Sequence, residues 1–113
     1  MASAEFDPVL LDPTRLTIVS LLAGAQWAEF TWVRESAGLS ASALSKQIST
    51  LDAHGYVTVE KGYMGKRPRT WVSLSAAGRA ALEDHVAALQ GIVEQARQTA
   101  GAHPPRSGEA PRA

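Results

Sequence analysis

Residues 40–53 carry hydrogen-bonding side chains along one side of a predicted helix. Leu44, Ile48 and Leu51 recur at spacings of four and three, which predicts one buried face. The opposite face and its flank carry four short hydroxyls, a lysine and a glutamine: Ser42, Ser45, Lys46, Gln47, Ser49 and Thr50. Such side chains bind phosphate oxygens and base edges, and a glutamine amide can bond adenine at two atoms. The pattern predicts a helix in the major groove of double-stranded DNA, with Ser42, Ser45, Lys46, Gln47 and Ser49 toward the bases and Thr50 toward the backbone. A merely solvated polar face is the alternative, and it is the preferred interpretation for such a helix taken alone; the helix-turn-helix and the basic cluster described below favour DNA.

Residues 61–70 form a second cluster, which is basic and contains no acid. Its cations are Lys61, Lys66, Arg67 and Arg69, while Gly62 and Gly65 permit turns and Pro68 stiffens the chain. A stiff basic loop of this kind can contact DNA phosphates or enter the minor groove. The alternative is a solvated hairpin tip. Arg34, in a preceding helix, is a further candidate for contact with the DNA backbone, with an intrahelical or surface role as its alternative.

The formal net charge of the 113 residues is zero, which at first argues against a nucleic-acid partner. The charges are unevenly distributed, however. Residues 31–75 carry six basic and three acidic side chains, whereas residues 1–30 carry one basic and four acidic ones. The neutral total is therefore a cancellation, and we expect a focused basic face and a marked salt dependence of DNA binding.

The elements that must position these clusters follow from caps and periodicity. The sequence predicts a helix capped by Asp12 that runs to about Ala23, followed by a short strand at 27–30. A helix capped by Thr31 and ending at Gly38 comes next, and a three-residue turn connects it to the helix 40–53. A hairpin with a long loop follows at 56–75, and a final helix runs from Ser75 to about Ala100. This order is a winged helix-turn-helix, a mainly α fold with a small β-hairpin (α+β). We expect an N-terminal segment 1–11, a DNA-binding domain 12–75, a C-terminal dimerisation helix 76–100 and a disordered tail 101–113.

Residues 12–90 resemble the bacterial winged-helix transcriptional regulators of the MarR-like kind. The likeness lies in DPTRLTIVSLL, LSASALSKQISTLDAHGYVTVEK, the basic wing GKRPRT and VSLSAAGRAAL, in this order and at these spacings. It implies a sequence-specific, homodimeric repressor that reads a pseudo-palindromic operator, with helix 40–53 in the major groove and wing 61–70 on the backbone or in the minor groove. The alternative is a winged helix that binds another protein without reading DNA. A small-molecule effector is left open.

The final helix has an apolar seam that requires a partner. Leu82, Val86, Leu89 and Val93 recur at spacings of four, three and four, the 3.5-residue period of a coiled coil. We expect these four residues to form a homodimer interface together with Leu10 and Leu11 near the N-terminus.

The sequence lacks the residue patterns of disulfide, metal-binding and catalytic sites. Cysteine is absent, which excludes disulfides, thiolate nucleophiles and cysteine-based metal sites. His54, His85 and His103 match no metal-ligand spacing, and no catalytic constellation occurs, so we expect no enzyme, metal or cofactor. Trp27, Trp32 and Trp71 are expected in the core rather than in a ligand cage. With no signal peptide and no apolar run of about 20 residues, we expect a cytoplasmic protein that does not enter a membrane.

Overall fold

The computed structural model describes residues 5–104, and these residues form four helices and one three-stranded sheet. In chain order the elements are α1 (Pro13–Ala23), β1 (Ala28–Glu29), α2 (Phe30–Ala37), α3 (Ala41–Ala53), β2 (Val57–Met64), β3 (Arg67–Leu74) and α4 (Ala76–Gly101). The predicted winged helix-turn-helix, mainly α with a β-hairpin, is confirmed. Most of the predicted tail, residues 105–113, lies outside the described residues, as do residues 1–4.

Three helices begin at the capping side chains that the sequence predicts. Asp12 accepts a hydrogen bond from the backbone N–H of Arg15 at 3.0 Å, and Pro13 occupies the first helical position, where no donor is lost. Ser40 caps α3 and Ser75 caps α4 in the same way, at 3.1 and 3.0 Å. These caps fix where the two longest helices start.

The start of α2 differs from the prediction. Thr31 lies within the helix, and Glu29 occupies the capping position without a side-chain hydrogen bond. The reason is the sheet: Ala28 pairs with Val72 and Glu29 with Trp71, so the strand ends at Glu29 and the helix follows directly. The predicted three-residue turn between α2 and α3 is confirmed, with Gly38 in the left-handed conformation at a φ of 69°.

The sheet has the strand order β1-β3-β2, and all of its pairs are antiparallel. The β2–β3 ladder continues to the pair Met64–Arg67, so only Gly65 and Lys66 form the turn and the predicted long loop is wrong. Gly65 supplies the positive φ, 65°, that a two-residue hairpin turn needs. Pro68 is tolerated because β1 reaches only Trp71 and Val72, which leaves the outer edge of β3 free at the proline.

The core lies between the helices and one face of the sheet. It is formed by buried aliphatic residues from the N-terminal segment, α1, α2, α3 and the sheet, including Leu10, Ile18, Val19, Leu22, Val33, Leu44, Ile48, Leu51, Val57, Val72 and Leu74, and α4 packs the half-buried Ala81 and Leu82 against it. The predicted buried face of α3, with Leu44, Ile48 and Leu51, is thereby confirmed. This packing turns the polar face of α3 away from the core.

The tryptophans do not fill the core as predicted. Trp27 and Trp32 are 41% and 47% exposed, and Trp71 is half-buried in the sheet. The short helix α2 directs Phe30 and Val33 inward, and Trp32 lies on the opposite side at 100° per residue. The prediction failed because aliphatic residues already fill the interior.

Helix α4 begins against the domain and then extends beyond it. Gly78, His85 and Ala88 are buried, whereas residues 89–101 are exposed throughout. The described chain accordingly measures 72 × 38 × 20 Å. The second half of α4 therefore has no packing partner within the described chain.

Candidate nucleic-acid interface

The exposed strip of α3 contains Ser42, Ser45, Lys46 and Ser49. Within residues 5–104, the side chains of Ser45, Lys46 and Ser49 make no hydrogen bond, whereas the Ser42 hydroxyl lies 3.3 Å from that of Ser40. The half-buried Thr50 donates its hydroxyl hydrogen bond to the carbonyl oxygen of Lys46, at 3.2 Å. Ser45, Lys46 and Ser49 therefore offer free donors and acceptors along this strip.

Gln47 occupies a different position from the exposed strip. It is half-buried at the flank of α3, and its amide oxygen accepts a hydrogen bond from Nη1 of Arg15 at 3.2 Å. Bidentate bonding to adenine requires both amide atoms to face the base. The structure instead directs the amide oxygen toward α1.

Lys61 lies on the face of the hairpin that looks toward α3. A groove of about 450 Å³ separates the two elements, and Ser45, Ser49, Lys61 and Thr70 line it together with Asp52. The fold thus brings two of the α3 candidates to one of the wing candidates, although they are distant in sequence.

The remaining cations of the wing are divided between the turn and the other face of the hairpin. Lys66 lies in the turn, and Arg67 follows opposite Met64; both cations are exposed. Arg69 lies farther from the tip, with its Nε 3.2 Å from a carboxylate oxygen of Glu29 on β1. This Nε is buried and not aligned for a hydrogen bond, so the contact is an ion pair. Arg69 is therefore engaged within the sheet.

Arg34 is also engaged locally. Its guanidinium lies 3.5 Å from a carboxylate oxygen of the adjacent Glu35, and its side chain is half-buried. Its backbone carbonyl accepts the N–H of Leu39 in the turn before α3. The Arg34 guanidinium is thus paired with Glu35, while its backbone carbonyl helps to close the turn before α3.

Two residues at the wing tip were missed by the sequence interpretation. Tyr63 is 78% exposed and Met64 is 54% exposed, directly beside the basic turn. Extending the predicted strand through residue 64 would have identified them. A strand of this length carries both side chains beyond the end of the core, where they are exposed. Because the sequence interpretation treated residues 62–70 as a loop, it did not place these two side chains.

The predicted dimer residues fall into two groups. Leu10 is fully buried in its own core and Leu82 is half-buried against it, so Leu10 cannot contact a partner and its predicted interface role is wrong. Leu11, Val86, Leu89 and Val93 are exposed. Beside them a groove of about 1070 Å³ runs along α4, and Phe6, Ala88, Ile92 and Ala96 are among its lining residues. The apolar stripe is thus wider than the predicted seam.

Two further findings concern residues 5–104 only. No group of three or more histidine, aspartate or glutamate side chains is arranged to hold a metal ion. No helix in this range combines the length and the apolar character required to cross a membrane.

Comparison with known proteins gives the same fold. Residues 14–93 match a family described as the winged helix DNA-binding domain. A transcriptional regulator homologue from Pyrococcus horikoshii OT3 is 25% identical, with a TM-score of 0.72 over 77% of this chain and 86% of that one. At 17% identity, Lactococcus lactis ZitR, a zinc-responsive MarR family member, gives a TM-score of 0.59 over 92% of this chain and 70% of that one. The transcriptional regulator MOSR of M. tuberculosis, solved in complex with DNA, is 22% identical, with a TM-score of 0.62 over 87% of this chain and 68% of that one.

Proposed function

Because this chain belongs to the winged helix DNA-binding domain family and has a MarR-like fold, we propose that it is a homodimeric transcriptional repressor that binds a pseudo-palindromic DNA operator. The family is one of DNA-binding domains, and the similar protein from Pyrococcus horikoshii is named a transcriptional regulator homologue, so we infer that this chain is a transcription regulator and not an enzyme. The observation that carries the proposal is the free polar strip of α3 beside the basic wing.

In this proposal α3 enters the major groove. An α-helix with its side chains is about 10–12 Å across, which suits a major groove about 12 Å wide, and the 13 residues of α3 give it a length of about 20 Å along that groove. Ser45, Lys46 and Ser49 reach the base edges, since the fold leaves them unpaired, and Ser42 and Thr50 lie at the margins. Gln47 supports the helix from its flank.

The wing makes the second contact. Lys66 and Arg67 lie at the end of a hairpin that projects from the domain, so they meet phosphates or the minor groove beside the α3 site. Lys61 lies on the face of the hairpin that looks toward α3, and it adds a phosphate contact beside the groove between these two elements. Arg69 and Arg34, which are paired with Glu29 and Glu35, contribute less to DNA contact.

We propose that the exposed half of α4 forms the dimer with its counterpart. Leu89, Ile92 and Val93 are exposed on one side of this helix, and a partner helix would remove them from water. Dimerisation through α4 would set the separation of two α3 helices, which must be about 34–36 Å to reach successive major grooves. As a DNA-binding regulator, the dimer would act in the cytoplasm.

The salt dependence of DNA binding tests the proposal. Replacing Lys66 and Arg67 with alanine should lower the slope of log affinity against log salt by roughly 0.9 for each DNA phosphate that the variant no longer neutralises. The matched control, R79A/R97A, removes two exposed cations from α4 and should leave the slope unchanged. Equal slopes for K66A/R67A and the unmodified protein would contradict the role of the wing.

A second candidate function is a protein-interaction module without DNA readout. Exposed Tyr63 and Met64 favour it, because aromatic residues and methionine are enriched in protein interfaces. The polar strip of α3 argues against it, since it contains no aromatic or arginine anchor. This candidate predicts no salt-dependent binding to any duplex.

A further inference from the structure

Arg15 connects three parts of the chain that are distant in sequence. Its Nε donates to the carbonyl oxygen of Val9 at 2.7 Å, and its Nη1 donates to the amide oxygen of Gln47 on α3 at 3.2 Å. The same Nη1 lies 3.8 Å from the carboxylate of Asp12, the cap of α1. One half-buried guanidinium thus joins the N-terminal segment, α1 and α3.

The N-terminal segment that holds Arg15 is itself fixed at a second point. The backbone N–H of Asp7 donates to Nδ1 of the buried His85 on α4, at 3.0 Å. The carboxylate of Asp7 accepts from the backbone N–H of Val9 at 2.9 Å and from the hydroxyl of Tyr56. A continuous set of hydrogen bonds therefore runs from α4 through residues 7–9 and Arg15 to α3.

The position of Gln47 on α3 links these hydrogen bonds to the orientation of the exposed strip. Gln47 lies at the boundary between the buried residues Leu44 and Ile48 and the exposed strip. A rotation of α3 about its axis would shift Ser45 and Ser49 relative to any bound DNA. A hydrogen bond to the flank opposes such a rotation because its donor is anchored outside the helix.

We propose that Arg15 is a positioning residue for α3, acting through Gln47, and that residues 7–9 fix Arg15 relative to α4. This inference rests on the proposed function, since it concerns how the DNA-binding helix is oriented. It assigns to Gln47 a role in support of α3 and not in reading a base, and it assigns to Arg15 no contact with phosphate.

A double-mutant cycle on the full chain tests the inference. The variants are R15M, Q47M and R15M/Q47M, with R79M as the matched control for loss of an exposed arginine. The DNA is the duplex that the unmodified protein selects from a random pool, and dissociation constants are measured well below each variant's Tm. If R15M does not fold, R15K replaces it, because lysine keeps the charge but cannot hold both acceptors in one planar fork.

The expected result is non-additivity. Q47M should weaken binding roughly fivefold, R15M at least as much, and the double variant no more than R15M alone, since both changes remove one connection. The salt slope and the preferred bases should stay unchanged in all three, and R79M should bind as the unmodified protein does.

Several results would overturn the inference. Additive losses would show that the two residues act separately; a lower salt slope in R15M would mean a phosphate contact; and a changed base preference in Q47M would make it a base reader. Lower Tm values with unchanged affinity would mean a role in stability alone. If the unmodified protein bound no duplex, the proposed function would fail and this inference with it, whereas binding with an additive cycle would overturn this inference only.

Discussion

Tyr56 shows how one side chain ties the N-terminal segment to the base of the wing. Its hydroxyl donates to the carboxylate of Asp7, and this hydrogen bond, with burial and the negative charge of Asp7, raises the pKa of Tyr56 to about 12. The folded state therefore favours the protonated phenol. The resulting stabilisation is complete below the ordinary pKa of 10.0 and is lost as the pH rises through about 12.

The variant Y56F should accordingly be less stable than the unmodified protein by about 1.5 kcal/mol at neutral pH, because Asp7 loses a donor. This difference should shrink between pH 10 and pH 12. Urea unfolding at a series of pH values measures it, and Y63F, at an exposed tyrosine, is the control that should show no difference. A difference that stays constant up to pH 12 would contradict the account.

Gly78 marks a close approach between α4 and the base of the wing. A Cβ at this position would overlap the carbonyl oxygen of Tyr56 and lie 2.7 Å from Cδ1 of Leu74. The variant G78A should therefore destabilise the fold by about 1–3 kcal/mol, although alanine is the better helix former. G91A is the matched control: nothing lies near a Cβ there, so it should raise stability by up to about 1 kcal/mol. Thermal unfolding compares the two, and an unchanged or higher Tm for G78A would be inconsistent with this packing.

Residue-level contacts were predictable only where they are local. Asp12, Ser40 and Ser75 cap helices that begin directly after them, so spacing alone identifies them. The contact between Arg15 and Gln47 spans 32 residues of sequence. It depends on where the tertiary fold places α1 relative to α3, which no local pattern encodes.

At the scale of elements, the wing shows the limit of pattern reading. Glycines and a proline within GYMGKRPRT are typical of a loop, yet the ladder continues to Met64 and Arg67. Pairing with β2 stabilises the strand, and the short β1 leaves room for Pro68. The turn and α3 were predictable in more detail because the periodicity of α3, its Ser40 cap and Gly38 all agree, whereas the predicted Thr31 cap of α2 was wrong.

Helix α4 allows a direct test of the proposed dimer. The variant L89D/V93D introduces charges on its exposed apolar stripe and should give a folded monomer, because a buried aspartate in a helix pair is costly. Q98D, on the far side of the helix, is the matched control and should remain dimeric. Sedimentation at tens of micromolar distinguishes these states. A monomeric unmodified protein, or a dimer that survives L89D/V93D, would exclude this interface.

At the scale of the whole molecule, shape and charge support one arrangement. The radius of gyration is 19.6 Å, well above the value of about 13 Å for a compact chain of 100 residues, because α4 extends past the domain. The basic residues concentrate in 31–75, with the exposed cations of the wing at one end, while the N-terminal part is acidic. A protein with zero net charge can therefore present one basic surface to DNA.

Selection of duplexes from a random pool by the unmodified protein tests the central claim most directly. A dimer that inserts two α3 helices into successive major grooves should enrich a two-fold symmetric motif, with half-site centres separated by about 10–10.5 base pairs. Specific affinity should exceed non-specific affinity by roughly a thousandfold or more. If no motif is enriched, or if the enriched motif has a single half-site, the proposed homodimeric operator binding is contradicted.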